Sequence, residues 1–235
     1  LIWIDYNLES MGLKGIMGLI ADHSGNIWFG NSSEGVVKFD GENGVIYNTL
    51  NSNLPDNDVI PLIVDSDGEL WIRSLKAGFY KSDGTSWSPV DISNSSLNGG
   101  EVNVIEFDES GTAWIGSGGL LISFDGKIWQ SYKYPGSEYS LGYITSIFID
   151  STGIKWLGTS IGLAKFNGQE WTLFDTSNSG LPDNSVTGVT IDKKGMVWAS
   201  TSNGVVKYDG KTWTVYNSTN SLLPSNWTSS ILSDS

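Results

Sequence analysis

Six side chains at related places in the sequence mix aromatic faces with planar polar groups: Asp58, Arg73, Glu101, Asn103, Tyr143 and Trp227. That mixture suits a sugar, whose C–H faces stack on rings and whose hydroxyls bond to carboxylates and amides. It would suit a protein loop as well. Arg73 is the only arginine in the chain. Its guanidinium can clamp a ligand carboxylate bidentately, or fill space as a salt bridge to Asp58 or Glu101. Lys76 lies in the following loop. Asp58 and Glu101 are also the one pair of carboxylates here that could serve as glycosidase acid and base.

Other catalytic chemistry has little to draw on. Acid–base work needs a group that titrates near neutrality, or an activated nucleophile. The single histidine, His23, sits inside Asp22-His23-Ser24-Gly25. Adjacency in sequence does not make a triad, which is defined by geometry. The absence of cysteine excludes disulfides, thiolate metal sites and cysteine nucleophiles. Asp65-Ser66-Asp67-Gly68 has two carboxylates of a calcium loop, but no bidentate Glu closes it, so it reads as a turn. No Gly-rich phosphate loop links a strand to a helix. The expectation is a binding module rather than an enzyme, with no metal and no cofactor.

The elements that position these residues come from an internal repeat. Trp28, Trp71, Trp114, Trp156 and Trp198 are spaced 43, 43, 42 and 42 residues apart, and each ends an Asp-x-x-Gly-x-x-Trp motif. A second series, Trp87, Trp129, Trp171 and Trp213, steps by 42. Within a repeat, apolar residues alternate with period two, and no segment shows a convincing period of 3.6. The fifth repeat predicts strand A at 186–191, B at 196–201, C at 205–208 and D at 212–216. Asp-Gly and Asn-Gly turns join them, with the positive φ that short hairpins need. Four short antiparallel strands in about 42 residues are the mark of a β-propeller blade.

The expected fold is therefore an all-β propeller, read as a single domain over 1–235. Its blades fall at about 15–48, 58–90, 101–132, 143–174 and 185–216. Partial strands at 1–8 and 227–233 flank five complete blades, so the repeat register implies a piece cut from a ring of six or more. Composition agrees with many short strands and tight turns: Trp 11, Tyr 9, Phe 8 and Gly 29 among 235 residues. A net charge of −13 argues against nucleic acid and anionic membrane surfaces as partners. No apolar run approaches the ~18 residues of a membrane span.

Comparing the repeats with one another separates fold from site. The turn Asp and Gly recur in every blade, and the Trp columns should pack between blades. The D–A and B–C connections open on one face, where propellers usually carry ligands. There the residue opening strand A varies freely: Gly15, Asp58, Glu101, Tyr143, Ser185, Trp227. Two residues on, Met17, Ile60, Asn103, Thr145, Thr187 and Ser229 are expected to face the channel. Arg73 stands in a column otherwise filled by Gly30, Gly116, Gly158 and Ser200.

The run Gly180-Leu181-Pro182-Asp183-Asn184-Ser185-Val186, continuing through Asp192, Gly195, Trp198, Thr201 and Gly204, resembles the two-component regulator propeller repeat. Leu54-Pro55-Asp56-Asn57 and Leu223-Pro224-Ser225-Asn226 repeat its opening. The resemblance implies an extracytoplasmic bacterial propeller, in sensor kinases often glycan-responsive, and also found in secreted proteins. The expected function is non-catalytic binding or sensing of a carbohydrate or small polar ligand at the channel mouth. The alternative is a structural or protein-interaction propeller of a secreted or surface protein.

Overall fold

The computed structural model describes residues 15–31, 33–74, 76, 78–97, 102–135 and 141–233. Every regular element among them is a β-strand, as the period-two pattern requires. The chain forms two compact units, residues 1–100 and 101–235.

The first unit holds two sheets: β1 Ile16–Ala21, β2 Ile27–Asn31, β3 Gly35–Phe39 and β4 Gly44–Tyr47, then β5 Val59–Val64, β6 Leu70–Ser74, β7 Gly78–Ser82 and β8 Trp87–Pro89. The second unit holds three. They are β9 Val104–Phe107, β10 Ala113–Ser117, β11 Leu120–Phe124 and β12 Trp129–Tyr132; β13 Ile144–Ile149, β14 Lys155–Thr159, β15 Gly162–Phe166 and β16 Trp171–Phe174; β17 Val186–Ile191, β18 Val197–Thr201, β19 Gly204–Tyr208 and β20 Trp213–Tyr216. Each sheet is four-stranded, with its strands side by side in chain order. Each is one blade, its strands A to D.

The Asp-x-x-Gly-x-x-Trp motif works as a single device. In the first blade, Asp22 Oδ1 accepts the amides of Ser24 and Asn26 at 2.9 Å each. Gly25 closes the turn at φ 84°, a region L side chains disfavour. Asp22 Oδ2 then accepts the Trp28 indole N–H at 3.0 Å. The same indole bond recurs from Trp71 to Asp65 at 2.7 Å, Trp114 to Asp108 at 2.8 Å, Trp156 to Asp150 at 3.4 Å and Trp198 to Asp192 at 2.9 Å. One carboxylate thus shapes the hairpin and satisfies the only polar atom of a ring that must be buried. Asp65 follows this pattern, with Oδ1 taking the amides of Asp67 and Glu69.

Burial of those rings builds the cores. Trp28 packs with Val36, Leu54, Val59, Leu70 and Ile72 in the first unit. In the second, Trp114 joins Leu141, Ile144, Ile147, Leu157 and Phe166, while Trp156 joins Leu181, Val186, Val197 and Ala199. Each cluster draws on two consecutive blades, so the Trp column glues blade to blade. Close approach of inner strands is the other requirement. A Cβ on Gly30 would fall 2.2 Å from the carbonyl oxygen of Val59.

One sequence expectation is corrected. Residues 227–232 do not form a strand. They run beside β17, where the Thr187 hydroxyl donates to the Thr228 carbonyl at 2.7 Å. The same bond links Thr145 to Val186 at 2.6 Å one blade earlier. Inner strands gain their ladder from strand B of their own blade. Residues 227–232 have no such partner among the described residues, and an isolated extended segment is not a sheet. The expected strand at 1–8 lies outside the described residues.

Candidate functional site

The loop face is built by stapled connections. In three D–A loops an Asn side chain caps the start of the loop. Asn57 Oδ1 accepts the Thr49 amide at 2.9 Å, and Asn184 and Asn226 accept those of Thr176 and Ser218 at 2.8 Å each. Leu54 and Leu181 of the same motif are buried. The Leu-Pro-x-Asn sequence is therefore an anchor for the loop, which leaves the residue that follows free to vary.

In the first unit, Asp58 meets charge as expected, and the cation that meets it is Lys76. Lys76 Nζ donates to Asp58 Oδ2 at 2.9 Å and to Asp56 Oδ1 at 3.4 Å. The Ser33 hydroxyl adds a bond to Asp58 Oδ1 at 2.8 Å. Bonds from Lys76 and Ser33 hold the Asp58 carboxyl below its ordinary value, and the Asp58 contact pushes the Lys76 amine up. Asp56 is buried, which opposes its ionisation, but bonds from the Asp58 amide, the Ser74 hydroxyl and Lys76 outweigh burial and keep its pKa low. Sequence reading missed Asp56 as part of this cluster. The signal was Lys76, the one cation in a B–C turn. Arg73 lies on β6, half-buried, in register with Ile60 and Phe79.

In the second unit, Tyr143 and Trp227 are 65% and 66% exposed although their backbones are fixed. The Tyr143 amide donates to Ser160 Oγ, and the Ser160 amide returns a bond to the Tyr143 carbonyl, each at 3.0 Å. The Trp227 amide donates to Ser225 Oγ at 3.2 Å. Both rings open equivalent positions of the repeat, with Ser185 at the position between them. Asn103 is exposed, its amide bonded to the Gly116 carbonyl at 2.9 Å. Glu101 lies outside the described residues. Thr145 and Thr187 donate their hydroxyls to the next inner segment's carbonyls.

Charge is unevenly spread over this unit. Ser160-Ile161, Ser202-Asn203 and the whole connection 217–227 carry no charged side chain. The A–B and C–D turns on the opposite face carry Asp108, Glu109, Asp125, Lys127, Asp192, Lys193 and Lys194 among others. Grooves of about 460 and 540 Å³ lie between those opposite turns, bordered by Asp108, Asp150 and Asp192. These carboxylates are committed to their own turns and indoles, so the grooves offer few groups to a ligand. His23 is exposed in such a turn, and Asp22 beside it is likewise committed.

Glu106 is the unusual acid of the unit. It stands opposite Trp114, where the other blades place Ile20, Ile63, Phe148 and Thr190. Burial pushes its carboxyl up to about 7. A folded pKa above the unfolded one means that stability is full in acid and falls as pH rises from about 4.3 towards 7. Glu106→Gln should change little at pH 4 and add about 1–3 kcal/mol at pH 8. Urea titrations at both pH values check this; an equal difference at the two would show that the acid is not strained by burial.

Five repeated four-stranded antiparallel blades define a β-propeller. Residues 180–203 match the two component regulator propeller family, which bears out the resemblance in that repeat. Comparison with the curated proteins finds no match. Among solved structures, the chain is similar to the extracellular domain of a hybrid two component system from B. thetaiotaomicron. That likeness has 24% identity and a TM-score of 0.77, covering 96% of this chain and 31% of that one. It is also similar to virginiamycin B lyase from Staphylococcus aureus, at 15% identity and TM-score 0.72, covering 93% and 74%. A third likeness is to PorZ, a surface component of the type-IX secretion system of Porphyromonas gingivalis, at 17% identity and TM-score 0.72, covering 93% and 37%. The chain thus spans about a third of the first and third of these proteins.

Proposed function

We propose that this chain is a non-catalytic, extracytoplasmic binding or sensing module, with both units belonging to one propeller. Its ligand is a carbohydrate or another small polar molecule held on the D–A and B–C loop face. One observation carries the reading: two exposed aromatic rings, Tyr143 and Trp227, open equivalent positions of the repeat on hydrogen-bonded backbone, and the connection that leads to Trp227 carries no charged side chain. Exposed rings offer faces for sugar C–H stacking, and neutral Ser and Asn groups suit hydroxyls. The extracellular domain of a hybrid two component system that it resembles supports an extracytoplasmic site of action. The commitment of Asp22 beside His23 supports a role without catalysis.

A glycan panel read by calorimetry tests the reading. Tyr143→Ala and Trp227→Ala should each weaken the best ligand by about 10- to 100-fold while melting stays normal. Two variants with full affinity would remove the loop face as the site. The protein-interaction alternative draws on Ile161 and Leu222, exposed apolar side chains on the same face beyond what a sugar needs. It predicts an empty glycan panel and a polypeptide partner whose binding falls with Leu222→Ser.

A further inference from the structure

The C–D turns of the five blades share one device, and one blade departs from it. Asp40, Asp83, Asp125 and Asp209 open four of these turns, and Asn167 opens that of the fourth blade. In every one, Oδ1 of the opening side chain accepts the amides two and three residues on. The distances are 2.8 and 2.6 Å at Asp40, 2.8 and 3.0 Å at Asp83, 2.9 and 2.7 Å at Asp125, and 2.8 and 2.7 Å at Asp209. At Asn167 the amides of Gln169 and Glu170 reach Oδ1 at 2.9 and 2.7 Å. The turn is the same, with a neutral carbonyl where its counterparts place a carboxylate. Amides aimed at an oxygen bind it more strongly when it carries charge. Bonds from the Asn43 and Glu42 amides hold the Asp40 carboxyl below its ordinary value, and those from Ile128 and Lys127 do the same for Asp125.

Asn167 is exposed, and the residue after it is Gly168, also exposed. An Asn-Gly pair can react with itself, because a Gly amide has no side chain beside it to keep it from the Asn Cγ. Gly168 stands at φ +99°, with nothing within 4 Å of the place a Cβ would take. Its amide makes no hydrogen bond among the described residues. Negative charge that builds on Asn167 Oδ1 as the amide adds to Cγ meets two donors already in place. The other described Asn-Gly pairs differ. Asn203 Oδ1 accepts one bond, from Asn226 Nδ2 at 3.3 Å, and the Gly204 amide is held by Asn226 O at 2.6 Å. Gly44 belongs to β4, in register with Phe39, and Asn43 Oδ1 accepts no bond among the described residues. The pair Asn98-Gly99 lies outside the described residues.

We infer that Asn167 is a site of spontaneous deamidation whose turn is already shaped for the aspartate it yields. The Gly168 nitrogen forms a bond to Asn167 Cγ and gives its proton to solvent. The Cγ–Nδ2 bond breaks, and the nitrogen takes up a proton and leaves as ammonia. Water then opens the cyclic imide at Cγ and leaves an aspartate at position 167. One water is consumed, one ammonia is released, and nothing is oxidised or reduced. Opening at the backbone carbonyl instead gives isoaspartate, whose longer backbone no longer presents the two amides to the same oxygen. The site lies on the face opposite the loop face, so the inference does not depend on the ligand.

The experiment incubates the 235-residue chain in mildly alkaline buffer and follows each Asn-Gly pair by peptide mass spectrometry. Conversion at Asn167 should run about 10-fold or more ahead of that at Asn203 and Asn43. Asn167→Asp tests the product separately. It should melt no lower than the parent chain at neutral pH. A carboxyl whose folded pKa is depressed contributes stability that is lost as pH falls through that pKa, so the variant should weaken relative to the parent in acid. Conversion at Asn167 equal to or slower than at the other two pairs would overturn the inference. So would a lower Tm for Asn167→Asp at neutral pH, which would mean that the turn is not shaped for the product.

Discussion

Replacing Trp114 with alanine is expected to cost the second unit about 3–5 kcal/mol. Four interactions end at once. The ring is 6% exposed within its cluster. It stacks on Tyr132 at 5.3 Å between centroids and meets Phe166 edge-on at 6.4 Å. Its indole bond to Asp108 is lost, leaving a carboxylate oxygen without its donor. Finally, Lys155 Nζ sits 3.7 Å from the ring centroid, and Lys155 is itself buried at 7% exposure. Burial pushes that amine down, although Asp108 and Asp150 oppose the shift. Without the ring, a buried cation loses its π face. Trp198→Ala is the control: same column, same indole bond, a more exposed ring, and an expected loss of about 1–2 kcal/mol. Urea unfolding followed by circular dichroism compares them. Equal losses would mean that ring burial between blades is not what holds the unit together.

Period and composition made the architecture legible, because a blade is a local object. The turn Asp, the turn Gly and the Trp lie within seven residues, and strand alternation needs only its own neighbours. In the fifth blade the expected strand A, 186–191, is the observed β17. What was not legible crosses from one blade to the next. The Thr187 hydroxyl reaches a carbonyl 41 residues on, a partner that no local pattern announces. Lys155 gave no local sign either. Lys38, Lys81, Lys165 and Lys207 lie opposite the Trp of their own blade, but Ser123 fills that place in the third blade. The next blade's β14 supplies the cation instead, from a position that is Ile27, Leu70, Ala113 or Val197 elsewhere. The loop-face residues were found as variable positions, which is a fact about one chain's repeats. Their partners were not, because Asp56 and Lys76 belong to two different connections.

Gly30→Ala is expected to damage the first unit more than the same change at Gly116, Gly158 or Gly25 damages its own unit. The added carbon would fall 2.2 Å from the Val59 carbonyl oxygen and 3.0 Å from that of Met17. Both obstacles are backbone in the inner strands of two consecutive blades, so relief requires the blades to part. Overpacking of this kind costs about 3 kcal/mol or more. At Gly116 the same carbon meets Ile144 and Val104 side-chain atoms at 2.8 Å and Ile144 Cβ at 2.9 Å; these lie farther away than the backbone oxygen at Gly30, so the loss should be about 1–3 kcal/mol. At Gly158 the nearest atom is the Thr145 hydroxyl at 3.0 Å, and the cost should be smaller still. Ser200 shows how the column tolerates a side chain, its hydroxyl bonding Thr187 at 2.9 Å. Gly25→Ala separates crowding from backbone strain: nothing lies within 4 Å, but φ is +84°, so about 1 kcal/mol is expected. Thermal and urea melts of the four variants should rank Gly30 first, Gly116 second and the other two last. A different order would mean that the spacing of inner strands is set by something other than the room left at this column.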